Sequence, residues 1–292
     1  QDTGWGNIQF DDYIEGLIGS AHNDILGRGY ATNVTINGGA GNDTINTYSG
    51  EVGKGFDVFD GGDDIDTISF QTNTIFTGLN VNLTTGRASF AAHGGDYATL
   101  SNIENVIGSN AADTITGDGQ NNELRGLDGN DFLYGKNGVD TIYGGEDSDK
   151  LYGENDNDTL YGENGNDTLY GGAGDDDLYG GDGTDVFYGG VGQDDMFGGA
   201  GTADIAYYNT SASGVTVNLV TNINTGGDAQ GDTLDSIERV QGSNQADSIT
   251  GNGAINTLYG NGGSDVIRGG MGADLLFGGA ESDSFVFDLG DT

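Results

Sequence analysis

From Asp131 the chain places an aspartate at every ninth residue: Asp131, Asp140, Asp149, Asp158, Asp167, Asp176, Asp185 and Asp194. Looser versions of the same pattern carry Asp24, Asp43, Asp66 and Asp113 before this run, and Asp247, Asp265, Asp274 and Asp283 after it. A glycine-rich or otherwise turn-forming stretch precedes each run member. Aspartate carboxylates, and the main-chain carbonyls that glycine turns expose, are hard oxygen ligands. Oxygen-only donors at flexible spacing suit Ca2+, which takes about six to eight of them at roughly 2.3–2.6 Å. Magnesium retains waters and stricter octahedral geometry, while zinc and copper favour histidine or cysteine. With two histidines and no cysteine, transition metals are poorly served. These aspartates are therefore candidate calcium ligands.

A carboxylate repeating at nine residues needs an element that repeats at nine. The residue two places after each aspartate of the run is apolar: Leu133, Ile142, Leu151, Leu160, Leu169, Leu178, Phe187 and Met196. The step reads G-G-x-G-x-D-x-U-x, with U a large apolar residue. Its glycine end is a turn, because glycine reaches the positive φ angles of a tight loop with inward carbonyls. Its x-U-x end is a short strand with one side chain inward and its neighbours outward. Two steps make one coil of a β-solenoid. Residues eighteen apart then stack, so Asp131, Asp149, Asp167 and Asp185 form one column and Asp140, Asp158, Asp176 and Asp194 the other. An ion between successive turns would bridge two coils and cancel their repulsion. The core is two facing aliphatic ladders. At about 1.5–3 kcal/mol per buried residue, these offset only part of a backbone ordering cost of about 1–2 kcal/mol per residue. The turns must supply the rest.

Composition agrees. Glycine numbers 58 of 292 residues, proline is absent, and 47 acidic residues face 8 basic ones, for a formal charge of −39. Such a chain repels itself and buries little, so it stays unfolded unless cations neutralise it. No basic stripe exists to neutralise phosphates, which excludes nucleic acid as a partner. No run has the length of a transmembrane helix, and QDTGWGNIQF lacks the pattern of a signal peptide. The absence of cysteine removes disulfides and thiol chemistry without fixing a compartment.

Three segments begin alike: IEGLIGSAHNDIL at Ile14, IENVIGSNAADTI at Ile103 and IERVQGSNQADSI at Ile237. Between the repeat blocks lie two linkers that share VNL, a GGD and an Ile-Glu exit. Their alternating β-branched sequence reads as strand. The chain is thus all-β, one solenoid in three sections: an irregular section over 1–80, linker strands plus a long regular roll over 81–208, and linker strands plus a short roll over 209–292.

GGAGNDTI (Gly38 to Ile45), GENGNDTLY (Gly162 to Tyr170), GGAGDDDLY (Gly171 to Tyr179), GGDGTDVFY (Gly180 to Tyr188) and GGMGADLLF (Gly269 to Phe277) closely resemble the nonapeptide repeats of the repeats-in-toxin (RTX) family. The resemblance covers most of the chain. It implies a right-handed parallel β-roll with Ca2+ between turns, held by the repeat aspartates and glycine-loop carbonyls. It also implies export by a Gram-negative type I system and folding only on meeting calcium outside the cell. There are departures. Asn122 and Asn256 occupy the aspartate position as neutral ligands, and Ala203 breaks the register so that Asp204 falls one place late. Calcium is expected to be weak or missing at these breaks. Asp64, Asp147, Asp156 and Glu281 replace the fourth-position glycine; aspartate tolerates left-handed backbone, whereas the glutamate turn is doubtful.

Other signals are bland. GEVGKG around Lys54 lacks the spacing and the Ser/Thr of a phosphate loop, and no segment fits an EF-hand. His22 and His93 are isolated, Trp5 reads as an end-cap contact, and ubiquitous carboxylate pairs nominate no acid–base couple. No enzyme is expected. Tyr134, Tyr143, Tyr152, Tyr161, Tyr170, Tyr179 and Tyr188 follow the apolar position, so they face outward and stack in two columns that Phe197 extends; a contact face for a glycan or another chain is the other reading. The function expected is an extracellular calcium-binding structural protein of a surface layer, filament or adhesin, with self-association through open strand edges. The alternative is a calcium-dependent secretion and folding module of a larger RTX enzyme or toxin.

Overall fold

The computed structural model describes residues 7–9, 16–27, 33–47, 56–71, 78–90 and 97–287. Trp5, Lys54 and His93 lie outside them. Among the described residues the chain forms strands of three to seven residues and one 3-10 turn, Gly227–Ala229. The all-β parallel roll expected from the nine-residue step is what the chain adopts. It divides into two compact units, residues 1–149 and 150–292.

In the first unit one sheet stacks Asn7–Gln9, Ile25–Gly27, Thr44–Asn46, Thr67–Ser69, Asn105–Ile107, Glu123–Asp128 and Thr141–Glu146, every pair parallel. The opposite sheet stacks Gly16–Ile18, Thr35–Ala40 and Val58–Asp63, and further on Leu79–Asn82, Thr114–Thr116 and Phe132–Lys136. The first linker joins these two runs. Tyr97–Ser101 pairs parallel with Val58–Asp63, then antiparallel with Arg87–Phe90, which is itself antiparallel to Leu79–Asn82. The linker is strand, as its alternation predicts, but it fills the sheet with a reversed meander rather than a further coil.

In the second unit Thr159–Gly165, Asp177–Gly183, Asp195–Ala200 and Thr233–Asp235 stack in parallel. Facing them are Lys150–Asn155, Thr168–Ala173, Val186–Val191, Ile205–Tyr207, Arg239–Gln241, Thr257–Asn261 and Leu275–Gly279. The second linker turns back once, at the bridge Thr216–Thr225. It starts a third parallel sheet of Thr216–Asn218, Ser248–Thr250, Val266–Arg268 and Ser284–Val286.

In the regular coils one side chain per strand enters the core, the residue two past the repeat aspartate or asparagine. Leu124, Leu133 and Ile142 in the first unit, and Leu160, Leu169, Leu178 and Phe187 in the second, have no solvent exposure. The next residue points out. In the second unit Tyr152, Tyr170, Tyr188 and Tyr207 stack at 4.6, 4.6 and 4.9 Å between ring centroids, and Tyr161, Tyr179 and Phe197 at 4.9 and 4.7 Å. The coil spacing of about 4.8 Å sets these distances. The rings cover one another's faces and leave their edges to solvent.

Candidate metal centre

Within each unit, successive coils are joined by polar rungs. The main-chain N–H of each aspartate donates to Oδ1 of the aspartate one coil on: Asp113 to Asp131 at 2.7 Å, Asp131 to Asp149 at 2.8 Å, Asp158 to Asp176 at 2.8 Å, Asp176 to Asp194 at 3.1 Å, Asp167 to Asp185 at 2.9 Å, and Asp247 to Asp265 at 2.8 Å. The rung, and not the residue count, is what stays constant. It spans 19 residues from Asp24 to Asp43, 23 from Asp43 to Asp66 and 19 from Asp185 to Asp204. Asp204 therefore keeps its column across an extra residue, and the break expected at Ala203 is only a bulge.

Oδ1 is committed to the rung, so the other carboxylate oxygen decides the chemistry. In Asp43, Asp66, Asp131, Asp176, Asp185, Asp194, Asp204 and Asp265, Oδ2 is buried and accepts no hydrogen bond. It faces the first glycine of its own loop. A Cβ added at Gly126 would collide with Asp131 Oδ2 and lie 2.6 Å from the Gly144 carbonyl oxygen of the next coil. At Gly162 the same atom would lie 2.5 Å from both Asp167 Oδ2 and the Gly180 carbonyl oxygen. A carboxylate and a carbonyl from adjacent coils thus converge on a space that glycine leaves open. Among the described residues no three acidic or imidazole side chains cluster; each centre pairs a single carboxylate with main-chain oxygens instead.

The loops that leave Oδ2 open share a backbone feature. The residue four before the aspartate is left-handed: Gly39 at φ 110°, Gly62 at 114°, Leu127 at 86°, Gly172 at 119°, Gly181 at 107°, Gly190 at 109° and Asn261 at 75°; before Asp204, which falls one residue late, it is Gly199, five before, at 91°. Lys136, Glu154 and Glu163 take the same conformation at 93°, 80° and 72°, before the buried Asp140, Asp158 and Asp167. Two residues further on, Asp64, Asp147, Asp156 and Glu281 are also left-handed, at 80°, 76°, 74° and 75°. The glutamate turn forms like the aspartate ones.

A second loop type behaves differently. At Ser20, Ser109, Asp118, Ser243 and Asn252 the residue after the first glycine is not left-handed and its N–H points inward, whereas Asn261 at the same place keeps the left-handed torsion. Ser109 N–H donates to Asp113 Oδ2 at 2.6 Å, with the Ser109 hydroxyl 3.0 Å from Oδ1. Ser243 N–H donates to Asp247 Oδ2 at 2.7 Å, with its hydroxyl 2.8 Å from Oδ1. Ser20 N–H donates to Asp24 Oδ2. Asp118 N–H donates to Asn122 Oδ1 at 2.9 Å, and Asn252 N–H to Asn256 Oδ1 at 2.7 Å.

Burial dominates the electrostatics. It pushes Asp131 and Asp194 up to about 8, Asp185 and Asp232 to about 7, and Asp66 and Asp176 to about 6. The rung N–H opposes the shift, and neighbouring aspartates add to it, Asp232 upon Asp194 most of all. A buried oxyanion without a donor or cation is costly. A divalent hard cation in the cleft would satisfy Oδ2, take the facing carbonyl as a further ligand and cancel the repulsion along the column.

The predicted ligands thus fall into groups. Asp43, Asp66, Asp131, Asp176, Asp185, Asp194 and Asp265 present an open Oδ2, and Asp140, Asp149, Asp158 and Asp167 are buried at the same column position. Asp24, Asp113 and Asp247 stand in the donor-filled loops. Asp274 and Asp283 complete rungs from Asn256 and Asp265 at 2.9 and 3.1 Å and are half-buried. Sequence spacing missed Asp204, and it missed Asp232, whose Oδ1 takes the Asp194 rung while Oδ2 accepts the buried Tyr208 hydroxyl at 2.9 Å. It also missed Glu104 and Glu238, whose carboxylates take the rungs from Asp66 and Asp204 at 2.8 and 3.2 Å. The shared Ile-Glu exit of both linkers is the signal that marks this pair.

Stacked parallel coils with hard-oxygen clefts between them define a calcium-binding β-roll, a structural rather than a catalytic domain. The family model of the RTX calcium-binding nonapeptide repeat (4 copies) matches residues 18–52, 107–142, 134–169, 170–203 and 250–285. The chain belongs to that family. No curated protein matches it.

Proposed function

We propose that the chain is an extracellular structural protein of a surface layer, filament or adhesin, that multiple Ca2+ ions bind its open loops, and that it folds and assembles on meeting them. The observation that carries this reading is the repetition of buried, donor-free Oδ2 atoms along the columns of both units, from Asp43 to Asp265. Each is an unfavourable site in the bare protein and a ligand in the loaded one. Folding is then linked to the ion, since anything that binds only the folded state stabilises it. Secretion by a type I system fits the same chemistry, because the chain would stay unfolded where calcium is scarce. Among the described residues no helix is long and apolar enough to cross a membrane.

The test is a calcium titration followed by far-UV circular dichroism and electron microscopy. EGTA should give a spectrum that is disordered over most of the chain, calcium should restore β structure, and magnesium should not substitute. Equal folding in EGTA would sink the proposal. Filaments or sheets that appear with calcium would support assembly, and monomers at saturating calcium would remove it.

A further inference from the structure

Two coils depart from the metal-dependent pattern in the same way, one in each unit. The first runs from Gly108 to Asn122 and the second from Gly242 to Asn256. Each opens with a serine whose N–H and hydroxyl both engage the aspartate four residues on, Asp113 and Asp247. Each closes with asparagine in the aspartate position. The Asn122 Nδ2 donates to the Glu104 carbonyl oxygen at 2.7 Å, and the Asn256 Nδ2 to the Glu238 carbonyl oxygen at 3.4 Å. These carbonyls belong to the residue eighteen positions earlier, one coil back.

The amide therefore does what a cation would do. It brings a positive partner to a main-chain carbonyl of the neighbouring coil, while Oδ1 is held by the N–H of Asp118 or Asn252. Both rungs onward are kept: Asn122 N–H reaches Asp140 Oδ1 at 2.7 Å and Asn256 N–H reaches Asp274 Oδ1 at 2.9 Å. Within these coils none of the four side chains Asp113, Asn122, Asp247 and Asn256 has the buried donor-free oxygen of the open loops. Both sides of the coil are satisfied by the chain itself.

Both coils directly follow a linker and precede the loops with open carboxylates. In a solenoid each coil contacts only its neighbours, and folding can start at one coil and propagate. The first coil to order bears the largest cost because it has no neighbour to stack on. We infer that the coils Gly108–Asn122 and Gly242–Asn256 are calcium-independent templates, holding no ion themselves and offering a finished rung on which the calcium-binding coils after them order. The inference rests on calcium as the ion of the open loops, and it adds that calcium is excluded here.

Hydrogen exchange of the full chain, read by mass spectrometry in EGTA and in calcium, tests it together with a native-mass count of bound Ca2+. In EGTA, amides in 103–125 and 237–259 should exchange about tenfold or more slowly than those in 158–200, where local opening is expected to be complete. Replacing both asparagines (Asn122→Asp with Asn256→Asp) turns each amide contact into two facing oxygens. The double variant should lose the protection in EGTA, regain it in calcium, and bind one more ion per substitution. Uniform exchange of the wild type in EGTA would overturn the inference, as would a double variant with unchanged protection and an unchanged ion count. If the variant does not fold in calcium, the wild-type exchange pattern decides alone. A wild type that binds no calcium at all would instead remove the reading beneath it, and the inference with that reading.

Discussion

The loop that ends at Asn122 and the loop that ends at Asp131 lie nine residues apart, carry the same rung, and have opposite chemistry. In the first, Asp118 turns its N–H inward onto Asn122. In the second, Leu127 at the equivalent place is left-handed, its N–H is not spent on the side chain, and Asp131 keeps a buried oxygen without a donor. One torsion at the residue after the first glycine thus separates a loop that completes itself from one that needs an outside partner. The same contrast recurs between Asn256 and Asp265.

Acidification should sharpen that contrast most, because it acts on all the open loops together. Burial raises their aspartates in the folded chain, Asp66, Asp131, Asp176, Asp185 and Asp194 from 3.8 to between about 6 and about 8, and Asp43, Asp204 and Asp265 in the same direction. The folded state then holds protons that the unfolded state has released. In metal-free protein the stability they provide is full below about pH 4 and is lost as pH rises through 6 to 8. Circular dichroism in EGTA should therefore show β structure returning between pH 8 and pH 5. With calcium the sign should reverse, since the cation needs the ionised carboxylate. A metal-free spectrum unchanged across this range would contradict the burial of these carboxylates.

A paired substitution comes next in size. Asp176→Asn preserves the rung from Asp158 but discharges an open loop, and it should cost one bound ion. At free calcium 100-fold above the dissociation constant, that is about 2.7 kcal/mol. Asp113→Asn discharges a donor-filled loop and should cost about 1 kcal/mol, with no change in ion count. Urea denaturation with native mass spectrometry distinguishes them; equal losses in both variants would erase the distinction between loop types. The smallest effect concerns Leu127 itself. Leucine at φ 86° bears a left-handed strain of about 1–2 kcal/mol, partly offset by the flexibility that glycine brings to the unfolded chain. Leu127→Gly should stabilise the calcium-loaded protein by about 0.5–1 kcal/mol, the strain less that offset, seen as a higher midpoint in urea.

Much of this was legible in sequence. The apolar residue two past each aspartate gave strand, inward face and core, as the complete burial of Leu133, Leu160 and Leu178 shows. The tyrosine columns followed from the same count. Spacing failed where distance along the chain and distance in space part company. Asp204 and Glu104 hold column positions after 19 and 38 residues instead of eighteen, because a bulge or a linker leaves the rung intact. Nor did spacing tell Asp113 from Asp131, since both satisfy the repeat. Their difference is the fate of one N–H, signalled only by serine where glycine is usual. That signal is ambiguous in sequence, because Glu154 and Glu163 also replace glycine there and yet adopt its torsion.

The rung between successive carboxylates bridges 18, 19, 23, 34 and 38 residues with nearly the same hydrogen bond. Closing a longer loop costs only about 0.6 kcal/mol per doubling of its length. Foreign sequence could therefore be grafted between two rungs at little thermodynamic expense, provided that each end still delivers its amide and its carboxylate. The roll is in this sense a display scaffold, and its linkers are insertions it has already absorbed.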